Sequence, residues 1–158
     1  MAIVELDVAW LIHLKQRYGD SIVTSEGPDG DLLLRTLAMP ADTNANGDIF
    51  GGWIMSQMDI GGGILAKEIA TGRIVTVAVE AMTFHHPVKV GQVVCCYEKC
   101  TRIGRTSMTI KLEVWVRPVL SDSKDDRYRV TDGIFTFVAI DENGKPRPVN
   151  PDVESVSR

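Results

Sequence analysis

The chain has 158 residues and a mass of 17.4 kDa, which is the size of one ordinary domain. Hydrophobic residues make up 44% and charged residues 24%, so the composition excludes a disordered or collagen-like chain. The net charge of −4 argues against a nucleic-acid partner. No apolar run approaches the length of about 18 residues that a membrane span needs, so we expect no membrane partner either.

The cysteines and the first ten residues bear on the cellular compartment. The first ten residues contain Glu5 and Asp7 but no basic residue, whereas a secretory signal begins with positive charge. Cys95, Cys96 and Cys100 cannot all pair and lack Cys-x-x-Cys spacing, which predicts free thiols packed in a strand as small apolar side chains. We therefore expect a cytoplasmic protein. We also expect no metal and no cofactor.

The chain divides into three predicted segments. Residues 1–30 form an extension, in which a short amphipathic helix precedes a turn-rich linker and either docks on the domain or frays. Residues 31–149 form the domain, and residues 150–158 a C-terminal tail.

The domain begins with a predicted strand over 31–39 and a polar loop over 41–48. A helical pattern follows over 49–70 and is apolar nearly all round, which predicts a buried helix. Gly61, Gly62 and Gly63 lie inside it, and each costs about 1 kcal/mol relative to alanine. A close approach of backbone or ligand is the simplest compensation.

Four further segments are rich in β-branched and aromatic residues and are separated by turns, mostly short, which require antiparallel neighbours. The order predicts an α+β domain in which a strongly curved antiparallel sheet wraps around one long helix. A single sheet leaves the far side of the helix and the sheet edges exposed, so we expect dimerisation. The predicted strands are 74–84, 92–101, 106–116 and 128–140.

The polar loop imitates the start of an EF-hand calcium loop, but its twelfth position is Trp53 and not the required glutamate. It is better explained as a turn that leads into a helix N-terminus at Gly51 and Gly52. Unpaired backbone N–H groups at that end, free of side chains, have the geometry of an oxyanion hole. The alternative is that the glycines only permit tight packing.

Asp59 is the strongest catalytic candidate. It lies within the apolar helix beside Met58 and Ile60, where a carboxylate must be paired or lie at a cleft. Such a group suits a general base or a nucleophile. The alternative is an aspartate on a solvated strip with Ser56 and Gln57.

Two other clusters have an ordinary explanation beside the functional one. His85 and His86 offer a base or a ligand, but no third ligand has metal-like spacing, so an exposed turn pair is favoured. The turn over 102–107 carries two guanidinium groups and two hydroxyls suited to phosphate, although a charged hairpin turn is the commoner explanation. The motifs of serine hydrolases, P-loop NTPases and Rossmann dehydrogenases are absent from the sequence.

Taken together, four stretches between about Leu32 and Pro148 resemble the YciA-type acyl-CoA thioesterases of the hotdog-fold superfamily. The resemblance implies a long helix wrapped by a curved sheet, subunits paired into a continuous sheet, and dimers assembled into trimers of dimers. The stretches are Asp42-Thr-Asn-Ala-Asn-Gly-Asp-Ile-Phe-Gly-Gly-Trp53, Ser56-Gln-Met-Asp59, Phe84 with Pro87-Val88 and Gly91, and Gly104-Arg-Thr-Ser107.

The resemblance also implies site residues. The family's catalytic carboxylate falls on Asp59, its active-site asparagine on Asn44, and the N–H that polarises the thioester carbonyl on Gly51 or Gly52. Because the family site crosses the dimer interface, Asn44 and Asp59 are expected to come from different subunits. Contacts to CoA are implied for Thr83, Phe84, His85, Arg102, Gly104, Arg105, Thr106 and Ser107.

The expected reaction is hydrolysis of acyl-CoA to a carboxylic acid and CoA. A thiol has a pKa near about 8.5 and leaves readily, so one carboxylate and backbone donors suffice without a strong general acid. Two alternatives remain open. A hotdog acyl dehydratase would need a histidine near the helix, whereas the histidines are His13, His85 and His86. A non-catalytic acyl-CoA sensor would keep the phosphate contacts and dispense with Asp59.

The chain departs from the family pattern in its extension over 1–30, at Gly63 and at His85-His86. The histidine pair bears on acyl-group preference, because family members often carry other residues there.

Overall fold

The computed structural model describes residues 27–119 and 126–149. Within them the chain forms one long helix, one short 3-10 turn and one five-stranded sheet. The predicted helix of the N-terminal extension and the C-terminal tail lie outside the described residues. The elements are β1 (Asp31–Leu37), α1 (Gly51–Ala70), β2 (Ile74–Phe84), β3 (Gln92–Ile103), β4 (Ser107–Pro118) and β5 (Tyr128–Ala139), with the 3-10 turn at Pro40–Asp42.

The sheet is antiparallel throughout and has the order β1-β3-β4-β5-β2, so β1 and β2 are its two edges. The predicted architecture of one long helix and a curved antiparallel sheet is confirmed. The helix begins at Gly51 and not at Ile49, because Ile49 still forms an extended bridge with Thr43. No helix among the described residues is long and apolar enough to cross a membrane.

The helix buries one face against the sheet and leaves the other uncovered. Ile54, Met58 and Ala66 are buried. Met55, Ile60 and Ile64 are exposed, which confirms the prediction that a single sheet leaves the far side of the helix uncovered. The sheet covers only one side of the helix. Its inner face supplies the buried side chains Met108, Ile110, Leu112, Val114, Phe135, Phe137 and Ala139.

Two of the three helical glycines are needed for contact with the sheet. A Cβ atom at Gly62 would lie 2.9 Å from Phe137 Cζ and 3.1 Å from Leu112 Cδ1, and one at Gly61 would lie 3.3 Å from Cys96 Sγ. The predicted close approach is therefore to side chains of the sheet and not to backbone or ligand. At Gly63 the nearest atoms are 3.9 Å away.

This contrast predicts opposite effects of two neighbouring substitutions. Gly62→Ala forces a methyl group into the packed ring of Phe137, an overpacking cost of about 1–3 kcal/mol that offsets a helix-propensity gain of about 1 kcal/mol. We expect a net loss of stability. Gly63→Ala meets no close atom and should stabilise the chain by about 0.5–1 kcal/mol. Urea denaturation of both variants measures the difference, and equal effects would contradict the packing argument.

A carboxyl group is buried beneath the helix. Glu98 on β3 is 3% exposed, and its Oε2 has no hydrogen-bond partner in the described part of the chain. A Cβ atom at Gly61 would lie 3.9 Å from this oxygen, so the group sits directly under α1. Burial, together with the negative charges of Glu68 and Asp31, raises the pKa of Glu98 to about 8.

The raised pKa predicts a pH dependence of stability. Between about pH 4.5 and pH 8 the folded chain holds a proton on Glu98 that the unfolded chain has released, so the free energy of unfolding falls as pH rises through this range. Glu98→Gln cannot titrate and should flatten that slope. The measurement is the urea midpoint from pH 5 to pH 9, with the exposed Glu142→Gln as a control that keeps the slope. A slope unchanged in Glu98→Gln would contradict the assignment.

Candidate active site

The loop before α1 is a turn organised by one asparagine. Asn44 Oδ1 accepts hydrogen bonds from the backbone N–H groups of Asn46 (2.9 Å) and Asp48 (3.2 Å), and Asn44 N–H donates to Asp48 O at 2.7 Å. The oxygen that a calcium loop would offer is thus used by the backbone. The side-chain NH₂ of Asn44 has no acceptor among the described residues, which leaves it able to donate to a bound molecule.

The helix N-terminus that follows presents unpaired donors. Phe50 is the N-cap and offers no side-chain cap, while its carbonyl accepts from Trp53 N–H at 2.9 Å. The N–H groups of Gly51 and Gly52 have no acceptor within residues 27–119 and 126–149. They also lie at the positive end of the helix dipole, which favours negative charge.

The two glycines also serve close packing. A Cβ atom at Gly51 would lie 3.4 Å from Phe84 Cζ, and one at Gly52 would lie 2.8 Å from Phe50 Cε1. The tight-packing explanation is therefore supported by these contacts, and the oxyanion hole stays a prediction. Aromatic rings pack on the glycines, and the same glycines leave backbone N–H groups without a covering side chain.

A cavity of about 300 Å³ adjoins this N-terminus, and we call it the Asn44 cavity. It brings together four of the predicted site residues, because Asn44, Gly51, Phe84 and His85 all line it. Its other walls are mostly apolar, which suits a small organic group held by few polar contacts. They are Asp48, Ile49, Ile54, His86, Pro87, Val88, Val130 and Thr131.

The two histidines have different partners. His85 Nε2 lies 2.5 Å from Asp132 Oδ1 on β5. The ring of His86 packs edge-on against Tyr128, with 5.7 Å between the ring centroids. The prediction of an exposed turn pair therefore omits these contacts, in which each imidazole packs against or bonds to a residue of β5. Sequence reasoning missed Asp132, which comes opposite Thr83 only through the pairing of β2 with β5.

Asp59 lies outside the Asn44 cavity. Its side chain is exposed, next to the exposed Ile60, and its Oδ1 accepts a hydrogen bond of 2.6 Å from Thr76 Oγ1 at the start of β2. The hydroxyl of Thr76, a residue that sequence reasoning did not single out, pairs with this carboxylate. The exposure of Asp59 beside the exposed Ser56 also fits the alternative of a solvated strip, so the catalytic role stays a prediction. In one chain Asp59 and Asn44 thus belong to different surfaces.

The residues predicted to contact CoA lie at opposite ends of the sheet. Thr83 pairs with Asp132 near the start of β5, whereas Ser107 pairs with Val138 near its end. The turn over 104–107 is fixed at that second end, where Thr106 O accepts from Ala139 N–H at 2.9 Å. A single chain therefore does not bring Thr83, Phe84 and His85 together with Arg102, Gly104, Arg105, Thr106 and Ser107.

Comparison with known proteins gives consistent matches. The model of the family described as "Thioesterase superfamily" matches residues 46–120. The acyl-CoA thioester hydrolase YciA of Salmonella typhimurium is 66% identical over 122 residues, which cover 77% of this chain and 92% of that protein.

Solved structures agree with this match. A hexameric broad-specificity acyl-coenzyme A thioesterase superposes with a TM-score of 0.74 at 64% identity, over 80% of this chain and 86% of that one. A hexameric thioesterase from Yersinia pestis does so with a TM-score of 0.74 at 63% identity, over 78% of this chain and 98% of that one.

Proposed function

The chain belongs to the YciA-type acyl-CoA thioester hydrolases of the thioesterase superfamily, and on that premise we propose that it hydrolyses acyl-CoA to a free carboxylic acid and CoA. The observation that carries the proposal is the Asn44 cavity, where an uncommitted side-chain amide and the unpaired N–H of a helix N-terminus converge. Donors in such an arrangement stabilise the oxyanion that develops when a thioester carbonyl is attacked.

The active unit in this proposal is a dimer formed through β2 and the free face of α1. Val75, Val77 and Val79 are exposed on the edge strand β2, and Ile60 and Ile64 are exposed on the neighbouring helix. An unpaired strand edge beside an apolar helix face is a surface that a second copy covers well. Pairing two β2 edges extends the antiparallel sheet across both subunits.

This pairing supplies what one chain lacks. If two β2 strands pair antiparallel about their middle, the Thr76 end of one strand lies beside the Phe84 end of the other. Asp59, bonded to Thr76, then approaches the partner's Asn44 cavity. By the same geometry, the turn over 102–107 of one subunit comes near Thr83, Phe84 and His85 of the other, so that one CoA can contact both sets.

The proposed chemistry needs few groups. The thioester oxygen accepts hydrogen bonds from Gly51 or Gly52 N–H and from the Asn44 amide. Asp59 of the partner subunit either removes a proton from a water molecule that attacks the carbonyl carbon or attacks that carbon itself to form an anhydride, which water then hydrolyses. The carbon–sulfur bond breaks as the electron pair leaves with the thiolate, which then takes up a proton.

We further propose that the dimers assemble as trimers of dimers. Two of the similar solved structures are described as hexameric, at 64% and 63% identity to this chain. Analytical ultracentrifugation tests this assembly independently of activity.

A second candidate function is favoured by one contact only. His85 and Asp132 form a histidine–carboxylate pair at the Asn44 cavity, the kind of pair that an acyl dehydratase uses. The pair lies on strands and not on the helix. Assaying the purified protein with a 2-enoyl-CoA distinguishes the two, since a dehydratase hydrates it without releasing thiol.

Replacement of Asp59 tests the main proposal. Asp59→Asn keeps the size of the side chain but removes its basicity, so we expect kcat for acyl-CoA hydrolysis to fall by about 10²–10⁴ with little change in KM. Thiol release across a panel of acyl-CoAs is the measurement. Glu68→Gln, an exposed acid on the same helix, is the matched control and should retain activity. Near-full activity of Asp59→Asn would remove Asp59 from the mechanism.

The hydrogen bond between Thr76 and Asp59 yields a separate prediction. Thr76→Val removes the hydroxyl that donates to Asp59 Oδ1, so the carboxylate loses its fixed orientation and kcat should fall by about tenfold. Thr76→Ser retains the donor and should restore most of the rate. If the valine and serine variants have equal kcat values, the hydroxyl does not position Asp59.

A further inference from the structure

A second cavity lies on the outer face of the sheet, which is turned away from α1. It has a volume of about 260 Å³, and we call it the arginine cavity. Arg35, Cys95 and Trp115 form one row across β1, β3 and β4, because Arg35 pairs with Cys95 and Cys95 with Trp115. The residues that line the cavity are Arg35, Cys95, Tyr97, Trp115, Val116, Arg117 and Arg127.

The cavity concentrates positive charge on an acidic chain. Three of its seven lining residues are arginines and none is acidic, although the chain has a net charge of −4. Among the described residues, Arg35 and Arg117 have no ion-pair or hydrogen-bond partner. Within residues 27–119 and 126–149, Arg127 donates one long hydrogen bond, of 3.4 Å, to the hydroxyl of Tyr97.

The buried carboxyl group of Glu113 on this face already has hydrogen-bond donors. Glu113 on β4 is 3% exposed, and it accepts from Lys111 Nζ and from Trp115 Nε1, each at 2.9 Å. It therefore does not neutralise the arginines. Because the indole N–H of Trp115 is used by Glu113, the ring contributes an apolar wall to the cavity.

Three guanidinium groups around one cavity repel each other unless an anion lies between them. Their planar, forked donors match the oxygens of phosphate groups. The volume exceeds what a single monovalent ion fills. We propose that the arginine cavity binds a small molecule through a diphosphate group, which the three arginines neutralise.

The site is separate from the candidate active site. The arginine cavity is built by β1, β3, β4 and Arg127, which precedes β5, whereas the Asn44 cavity lies beside the helix N-terminus, the end of β2 and the start of β5. The diphosphate has two possible sources, a free diphosphate compound or the diphosphate of CoA itself. Both present the same chemistry to the arginines.

The test is calorimetric titration of the full-length protein with pyrophosphate at low ionic strength. We expect saturable binding to the unmodified protein. Arg35→Gln and Arg117→Gln should each weaken it by about tenfold or more, since each removes charge-assisted hydrogen bonds. Lys145→Gln removes the same charge from an exposed turn and should bind as the unmodified protein does. Arg117→Lys keeps the charge without the fork and should give an intermediate loss.

Two outcomes overturn the proposal. One is that Arg117→Gln binds pyrophosphate with the same affinity as the unmodified protein, or that the unmodified protein does not bind pyrophosphate at millimolar concentration. The other is that Arg117→Gln and Arg117→Lys no longer form the oligomer while the intact oligomer of the unmodified protein does not bind pyrophosphate. In that case the arginines form a contact between subunits. A KM for acyl-CoA that is unchanged in Arg117→Gln assigns the site to a free diphosphate compound, and a raised KM assigns it to CoA. Either KM result supports the site when pyrophosphate binding is lost.

Discussion

The packing of α1 on only one face of the sheet determines the rest of this structure. Gly61 and Gly62 let the helix approach Cys96 and Phe137 closely enough to bury one side completely. The opposite side keeps an apolar surface that no described residue covers, and it continues onto the unpaired edge of β2. A helix of this composition is stable in water only when its second side is also covered. The same constraint that shapes the fold therefore favours a second subunit.

That requirement links assembly to chemistry. The donors of the Asn44 cavity are fixed by the turn and the helix N-terminus of one chain, while Asp59 is held by Thr76 on the surface that the partner would cover. The two halves are rigid for different reasons. Backbone amides fix Asn44, and a strand hydroxyl fixes the carboxylate. In the proposed dimer, these two halves are brought together by subunit contact and not by a loop closure within the chain.

Much of the fold could be predicted from the sequence, because helical and strand periodicities are local. The start and end of β2 follow from composition alone, and the helix begins within two residues of its predicted start. The contacts that orient site residues are not local. Thr76 reaches Asp59, and Asp132 reaches His85, through a sheet register that is shifted at two places in the pairing of β2 with β5. The burial of Glu98 could not be predicted from the sequence either, since a glutamate in a strand ordinarily faces solvent.

The two faces of the sheet divide the polar residues by role. On the inner face a charge is not tolerated, and the carboxyl group of Glu98 has a pKa of about 8 because burial and neighbouring acids disfavour its ionised form. On the outer face Glu113 is as deeply buried, but Lys111 and the indole of Trp115 supply donors to it. The difference is the availability of partners and not the depth of burial. Arg35 and Arg117 on the same outer face have no carboxylate partner among the described residues, and the oxygens of Glu113 on β4 are already bonded to Lys111 and Trp115. Arg35 and Arg117 lack a partner among the described residues, whereas Glu113 has its hydrogen-bond donors. In the proposed site, a bound anion neutralises these arginines.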